Sequence, residues 1–150
     1  MSCSNPNQWY KKPITNHSEL SDVQFENLFE KGDLPPSLFD HEAHLRLAWL
    51  YITKYGEKGA VDKSCSEIRQ FDKLHGDGTK FNTTVTIAAV KTVQHFMKKS
   101  NADDFYGFIK EFPRLKHAFK ALLDQHYAFD IFSNERARTS YMEPDIQPFD

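Results

Sequence analysis

The chain has 150 residues, of which 39% are hydrophobic and 14% aromatic, and this is enough for one domain with a buried core. The formal net charge is −2 and the lysine and arginine residues are dispersed, so the charge pattern predicts no binding to nucleic acid or to an anionic membrane. Only two cysteines are present, Cys3 and Cys65, and no apolar stretch has the length of a signal peptide or a bilayer span, which predicts a soluble cytoplasmic protein.

The first predicted helix begins at a capping box and is followed by an extended linker. Ser21 can accept a hydrogen bond from the amide of Gln24, whose side chain reaches back to the Ser21 amide, and Gly32 is suited to end this helix. Asp40 is predicted to cap a second helix that runs to about residue 55 and that Gly56 stops. This second helix is apolar on nearly all of its faces, which is typical of the centre of a helical bundle.

Two further long helices are predicted, one over about residues 60–75 and one over about residues 83–99. Both have apolar residues at helical spacing, and Gly76 is suited to end the first of them. A short helix is predicted from about residue 103 until Pro113 interrupts it, and a last helix follows Pro113.

These elements define the predicted fold class. No segment gives a strong prediction of a β-strand, so we expect an all-α fold, a single-domain bundle of about five to six helices that spans residues 1–150. Residues 1–17 are expected to be loosely ordered, and residues 134–150 are expected to form a partly irregular tail.

Polar residues extend the inward faces of the predicted helices. At 100° per residue, His41 and His44 lie in the same sector of the second helix as Leu45 and Ala48. Helices joined by short connections are antiparallel, so the start of the second, the end of the third and the start of the fourth should meet at one end of the bundle. His126, on the last helix, is expected to reach the same end. The other side chains gathered there are those of His41, His44, His75, Asn82 and Thr86.

The histidines of this cluster allow two kinds of chemistry. His41 and His44 are three residues apart, so they could hold one divalent metal ion together, with His75 as a third ligand and one open position for a substrate. The same two imidazoles could instead act as general acid and base, with Asn82 and Thr86 orienting a ligand. The alternative is structural: His41 and His44 would be hydrogen-bonded residues near a helix start, and Asn82 would be a helix N-cap.

Arg46 and Cys65 are given structural roles. Arg46 lies four residues after Glu42, which predicts a solvated ion pair on the helix surface. Cys65 lies on an apolar stripe with no basic neighbour to lower the pKa of its thiol, so it is not a candidate nucleophile. We therefore expect the chemistry of the protein to depend on the histidine cluster.

The segment FDHEAHLRLAW, residues 39–49, resembles the hallmark of a family of small, uncharacterised bacterial all-helical proteins. The other similar segments, which extend the resemblance from about residue 25 to the C-terminus, are His75-Gly76, FNTTVT at residues 81–86, Ala137-Arg138 and Pro144-Asp145. The resemblance implies a shared architecture and a common site. It would bring Arg138 and Arg136 near the pocket, where a guanidinium can pair with a carboxylate or a phosphate. Relatives tend to have histidine at the position of Asn82, and this departure weakens the metal-ligand set of the present chain.

Together these features predict a protein that binds a small polar or anionic ligand, directly or through a metal ion, in a histidine-lined pocket at one end of the bundle. The second hypothesis is a non-catalytic interaction module, in which the aromatic residues Trp9, Tyr10 and Phe149 would dock a protein partner. The sequence leaves open whether the protein is an enzyme and whether it forms a homo-oligomer.

Overall fold

The computed structural model describes residues 13–150, and this part of the chain folds into seven α-helices without a β-strand. The helices are α1 (Asp22–Glu30), α2 (His41–His75), α3 (Thr83–Met97), α4 (Phe105–Glu111), α5 (Arg114–His117), α6 (Phe119–Asp124) and α7 (Glu135–Thr139). The prediction of an all-α bundle is confirmed. None of these described helices has the length and apolar character needed to cross a membrane.

Gly56 divides α2 into two arms, residues 41–55 and 57–75. Its φ of +76° and ψ of 176° are far from helical values, and only glycine adopts this conformation without strain. Ser64 of the second arm lies beside the same cavity as Ala48 of the first, and Nζ of Lys63 lies 5.3 Å from the ring centroid of Tyr51. The two arms are therefore antiparallel. Helical hydrogen bonding resumes directly after Gly56, so the second arm begins several residues before the predicted start near residue 60.

The first arm of α2 lies at the centre of the fold, as its apolar faces predict. Leu45, Leu47 and Tyr51 are each at most 1% exposed. Helix α3 packs along α2 in the most extensive contact between any two helices, and the remaining core comes from several elements. The principal partners in this core are Phe25, Phe29, Phe71, Val90, Val93, Phe105, Phe108, Leu115 and Leu122.

Arg46 does not form the predicted surface pair with Glu42, because its side chain is only 2% exposed and points toward the segment before α1. Its guanidinium donates to the main-chain oxygens of His17 and Leu20, each at 2.8 Å, and to Oδ1 of Asp22 at 2.8 and 3.2 Å. Glu42 instead accepts from Nε2 of His17 at 2.9 Å. The structure thus has a buried cation that ties the N-terminal segment to α2.

Residues 13–17, predicted to be loosely ordered, include a fully buried histidine. Asn16 and Glu19 form a capping box around a 3-10 turn at His17–Glu19, and the His17 ring is 0% exposed. Desolvation lowers the pKa of His17, although the carboxylates of Asp40 and Glu42 lie nearby and act in the opposite direction. Residues 1–12, the rest of that predicted segment, lie outside the described part of the chain.

The C-terminal third differs from its prediction in two places. Ala118, with φ of −139° and ψ of 36°, separates α5 from α6 where one helix was expected after Pro113. Helix α7 interrupts the predicted irregular tail, and residues 141–150 then follow without helix. The Thr84 hydroxyl fastens this tail to α3, since it donates to the main-chain oxygen of Ser140 at 2.9 Å and accepts from the Met142 amide at 3.0 Å.

Candidate functional site

A cavity of about 360 Å³ lies between the two arms of α2 and helix α3, and we call it the α2–α3 cavity. Four phenylalanine rings form much of its wall, those of Phe39, Phe81, Phe119 and Phe132. Its aliphatic lining consists of Leu45, Ala48, Ile68, Val85, Ala89 and Val90. Its polar lining consists of Asp40, His41, His44, Ser64, Lys80, Asn82 and Thr86. The structure thus brings four of the predicted site residues, His41, His44, Asn82 and Thr86, to one hollow.

The ring of His44 is fixed by one hydrogen bond and one stacking contact. Its Nδ1–H donates to the main-chain oxygen of Asp40 at 2.8 Å, and the ring stacks on Phe39 with 3.8 Å between centroids. His44 is an exposed residue that lines the α2–α3 cavity and an adjoining one. Desolvation by the packing around its ring lowers the pKa of His44, and the neighbouring His41 acts in the same direction.

His41 is oriented by a contact from a distant part of the chain. Its Nε2–H donates to the main-chain oxygen of Leu115 at 2.9 Å, and its ring lies 5.0 Å from that of Phe119. A main-chain oxygen can only accept, so in both His41 and His44 the nitrogen that carries the hydrogen is set by the fold. This arrangement leaves one ring nitrogen of each histidine without a partner in the described part of the chain.

Ser64 is a site residue that the sequence analysis missed. It is only 2% exposed and lines the α2–α3 cavity, but its hydroxyl makes no hydrogen bond within residues 13–150. Thr86 also lines the cavity, and its hydroxyl is likewise unpaired in this range. The spacing of Ser64 three residues after Val61 and four before Ile68 places it on the inward face of its helix, and that periodicity could have identified it.

Asn82 supports the cavity rather than presenting free polar atoms to it. Its Oδ1 accepts from the Val85 amide at 2.9 Å as the N-cap of α3, as the structural alternative predicts. Its Nδ2–H donates to the main-chain oxygen of Ile131 at 2.9 Å. This bond holds the loop that carries Phe132, a cavity-lining ring that is 44% exposed.

His75 does not join His41 and His44 as a third metal ligand. Its Nε2–H donates to the main-chain oxygen of Gly32 at 2.8 Å, and its ring lines the adjoining cavity of about 260 Å³. Within residues 13–150, no group of three or more histidine, cysteine, aspartate or glutamate side chains is arranged to hold a metal ion. The structure therefore does not bring His75 together with His41 and His44, because its ring turns toward the end of α1.

Arg138 does not line the cavity either. It lies in α7, where its guanidinium pairs with Glu135 one turn earlier, with Nε of Arg138 3.0 Å from Oε2. His126 is also absent, because it lines a third cavity of about 300 Å³ against the C-terminal segment, stacks on Phe149 and donates to the main-chain oxygen of Gln147. In that third cavity, His95 forms an ion pair with Asp150.

Cys65 is no more reactive than its sequence context predicts. Its thiol is free, and burial raises its pKa, which disfavours the nucleophilic thiolate.

Comparison with known proteins adds no relative: no family model matches the chain, and neither a characterised protein nor a solved structure matches it.

Proposed function

We propose that the protein binds a small molecule in the α2–α3 cavity, with an apolar or aromatic body against the phenylalanine walls and a polar group at the histidine and hydroxyl side. The volume of about 360 Å³ falls within the range of roughly 300–1,000 Å³ typical of small-molecule sites. Such sites are mostly apolar with a few converging polar groups, and this lining has that composition. At roughly 30 Å³ per water-sized group, the cavity has room for about a dozen non-hydrogen atoms.

The observation that carries this proposal is the unpaired hydroxyl of Ser64. Within residues 13–150, the only fully buried side-chain oxygen or nitrogen without a hydrogen-bond partner is Oγ1 of Thr83, so the Ser64 hydroxyl is not sealed off from solvent. Ser64 is 2% exposed, lines the cavity and has no hydrogen-bond partner for its hydroxyl in the described chain. This hydroxyl is therefore free to donate to, or accept from, a ligand in the cavity without breaking a bond inside the protein.

The experiment is a ligand-observed NMR titration with small aromatic probes such as indole and phenol. Ala89 lines the cavity, whereas Ala121 is an exposed alanine of α6 outside the cavity lining, so the same substitution at both positions gives a matched control. We expect Ala89→Leu to weaken probe binding at least tenfold because the added isopropyl group fills the space that the probe needs, and Ala121→Leu to bind like the wild type. Failure of every probe to bind the wild type, or equal affinity in the two variants, would overturn the proposal.

The other predicted functions have less support. Phe149, one of the three aromatic residues of the interaction-module hypothesis, is half-buried against His126 and Tyr127, and Trp9 and Tyr10 lie outside the described residues. Acid–base catalysis by His41 and His44 stays a prediction.

A further inference from the structure

We propose, on the basis of the function proposed above, that the ligand presents an uncharged N–H or O–H donor to Nε2 of His44, and that such donors are selected over carboxylates. This selection depends on the polar group of the ligand, whereas the cavity itself requires only an apolar body of suitable size.

The hydrogen bond of His44 to the backbone fixes which of its ring nitrogens carries the hydrogen. Because the main-chain oxygen of Asp40 can only accept, the Nδ1 atom 2.8 Å away must carry the hydrogen. In the neutral ring the second nitrogen, Nε2, then has a lone pair and no hydrogen. Nε2 has no hydrogen-bond partner within residues 13–150, and the ring lines the cavity. His44 is therefore a fixed hydrogen-bond acceptor in the lining of the cavity.

The surroundings of His44 favour the neutral ring. Desolvation lowers its pKa, and among nearby charged groups His41 lowers the pKa while Asp40 raises it. The other titratable side chains that line the two cavities with His44 are Lys80, Asp72 and His75. At neutral pH, His44 thus presents a lone pair, and not a positive charge, to a ligand.

The rest of the polar lining does not favour a carboxylate. An anion beside Nε2 would face a lone pair, and the carboxylate of Asp40 lies on the same wall. Lys80 is the only lysine or arginine in the described lining, and its side chain is exposed. An ion pair between a ligand carboxylate and an exposed lysine contributes little to the free energy of binding. The Ser64 and Thr86 hydroxyls can donate or accept, so they bind either class and do not discriminate. The acceptor on His44 is therefore the group that selects.

The test compares two pairs of probes of similar shape at pH 7.5. Indole and indene differ in the N–H donor, and benzyl alcohol and benzoate differ in charge. We expect the wild type to bind indole about fivefold tighter than indene, the worth of one net hydrogen bond, and to bind benzyl alcohol tighter than benzoate. Equal binding of indole and indene, or tighter binding of benzoate, would overturn the inference. If indole and indene bound equally and Ala89→Leu still weakened the binding of each, the proposed function would stand while the selection by His44 would fail. If no probe bound the wild type, the proposed function and the selection by His44 would both fail.

A variant assigns the selectivity to His44. His44→Phe keeps the stacking on Phe39 but removes the acceptor, so indole and indene should bind this variant equally. His117→Phe makes the same change at an exposed position away from the cavity and should keep the fivefold preference. A long-range ¹H–¹⁵N NMR spectrum of the wild type gives a readout that needs no variant: we expect the hydrogen of His44 on Nδ1, and a hydrogen on Nε2 would contradict the inference.

Discussion

Replacement of Arg46 by methionine tests the buried cation that joins the N-terminal segment to α2. Methionine keeps much of the apolar stem but removes the four hydrogen bonds of the guanidinium to the main-chain oxygens of His17 and Leu20 and to Asp22, together with a fifth at 3.3 Å to Nδ1 of His17. Two main-chain acceptors, on His17 and Leu20, lose their donor in a buried site, and each costs about 1–3 kcal/mol. The guanidinium also lies 4.7 Å from the ring centroid of Phe25, and this cation–π contact is lost.

We expect the free energy of unfolding to fall by about 3–5 kcal/mol, the usual cost of breaking a buried ion pair from one side. Asp22 moderates the cost because its side chain is 48% exposed and water can solvate its carboxylate after the change. In a domain of this size the loss corresponds to a midpoint of thermal unfolding about 6–20 °C lower.

The assay is urea denaturation at pH 7.5, followed by tryptophan fluorescence and by circular dichroism. Arg138→Met is the matched control, since Arg138 forms its ion pair with Glu135 at the surface and its loss should change stability far less. A loss below about 1 kcal/mol for Arg46→Met, or equal losses in the two variants, would refute the structural role assigned to Arg46.

Three further predictions concern single features of the fold. Gly56→Ala should lower the free energy of unfolding by about 1–3 kcal/mol in urea titrations because φ is +76°; an unchanged midpoint would contradict the sharp break in α2. Asn82→Ala should cost about 1–2 kcal/mol as a lost cap and should speed amide hydrogen exchange around Phe132, and unaltered exchange there would disprove the anchoring of that loop. The pKa values of His17 and His44 are lowered in the folded protein, so below the ordinary histidine pKa of 6.5 the unfolded chain binds more protons than the folded one. The contribution of these two residues to stability should therefore be constant above pH 6.5 and fall as the pH drops below it. Denaturation series at pH 7.5, 6.0 and 5.0 would reveal this fall, and His44→Phe should reduce it.

Features that depend on neighbouring residues could be predicted from the sequence. Ser21 and Asp40 both act as N-caps, and their partner amides lie three residues along the chain in each case. Gly56 ends a regular helix for a reason local to its own backbone. The reversal at Gly56 and the short link before α3 then bring the polar ends of the helices together, which is how His41, His44 and Thr86 come to line one cavity.

Features that depend on distant partners could not be predicted. For Arg46 the only candidate partner at helical spacing was Glu42, whereas its actual acceptors come from residues 17–22. Helical periodicity indicates which face of a helix a residue occupies, but it does not indicate which of two cavities on that face the side chain lines. His75 is such a case, because the main-chain oxygen of Gly32, 43 residues earlier, draws its ring into the adjoining cavity.

Ser64 illustrates a different kind of miss. Its position on the inward face was readable, but a serine between apolar residues usually returns its hydrogen bond to the helix backbone, so it gave no reason to expect an unpaired hydroxyl. Only the packing of α3 and Phe119 against α2 shows that Ser64 borders an open space.

The most direct measurement of the central claim is an intermolecular nuclear Overhauser experiment on the wild-type protein with bound indole. If the α2–α3 cavity is the binding site, indole protons should show contacts to the methyl groups of Ile68, Val85 and Ala89, which line it. Contacts confined to methyl groups outside the lining, such as those of Ile87 on the same helix as Val85 and Ala89, would contradict the assignment of this cavity as the functional site.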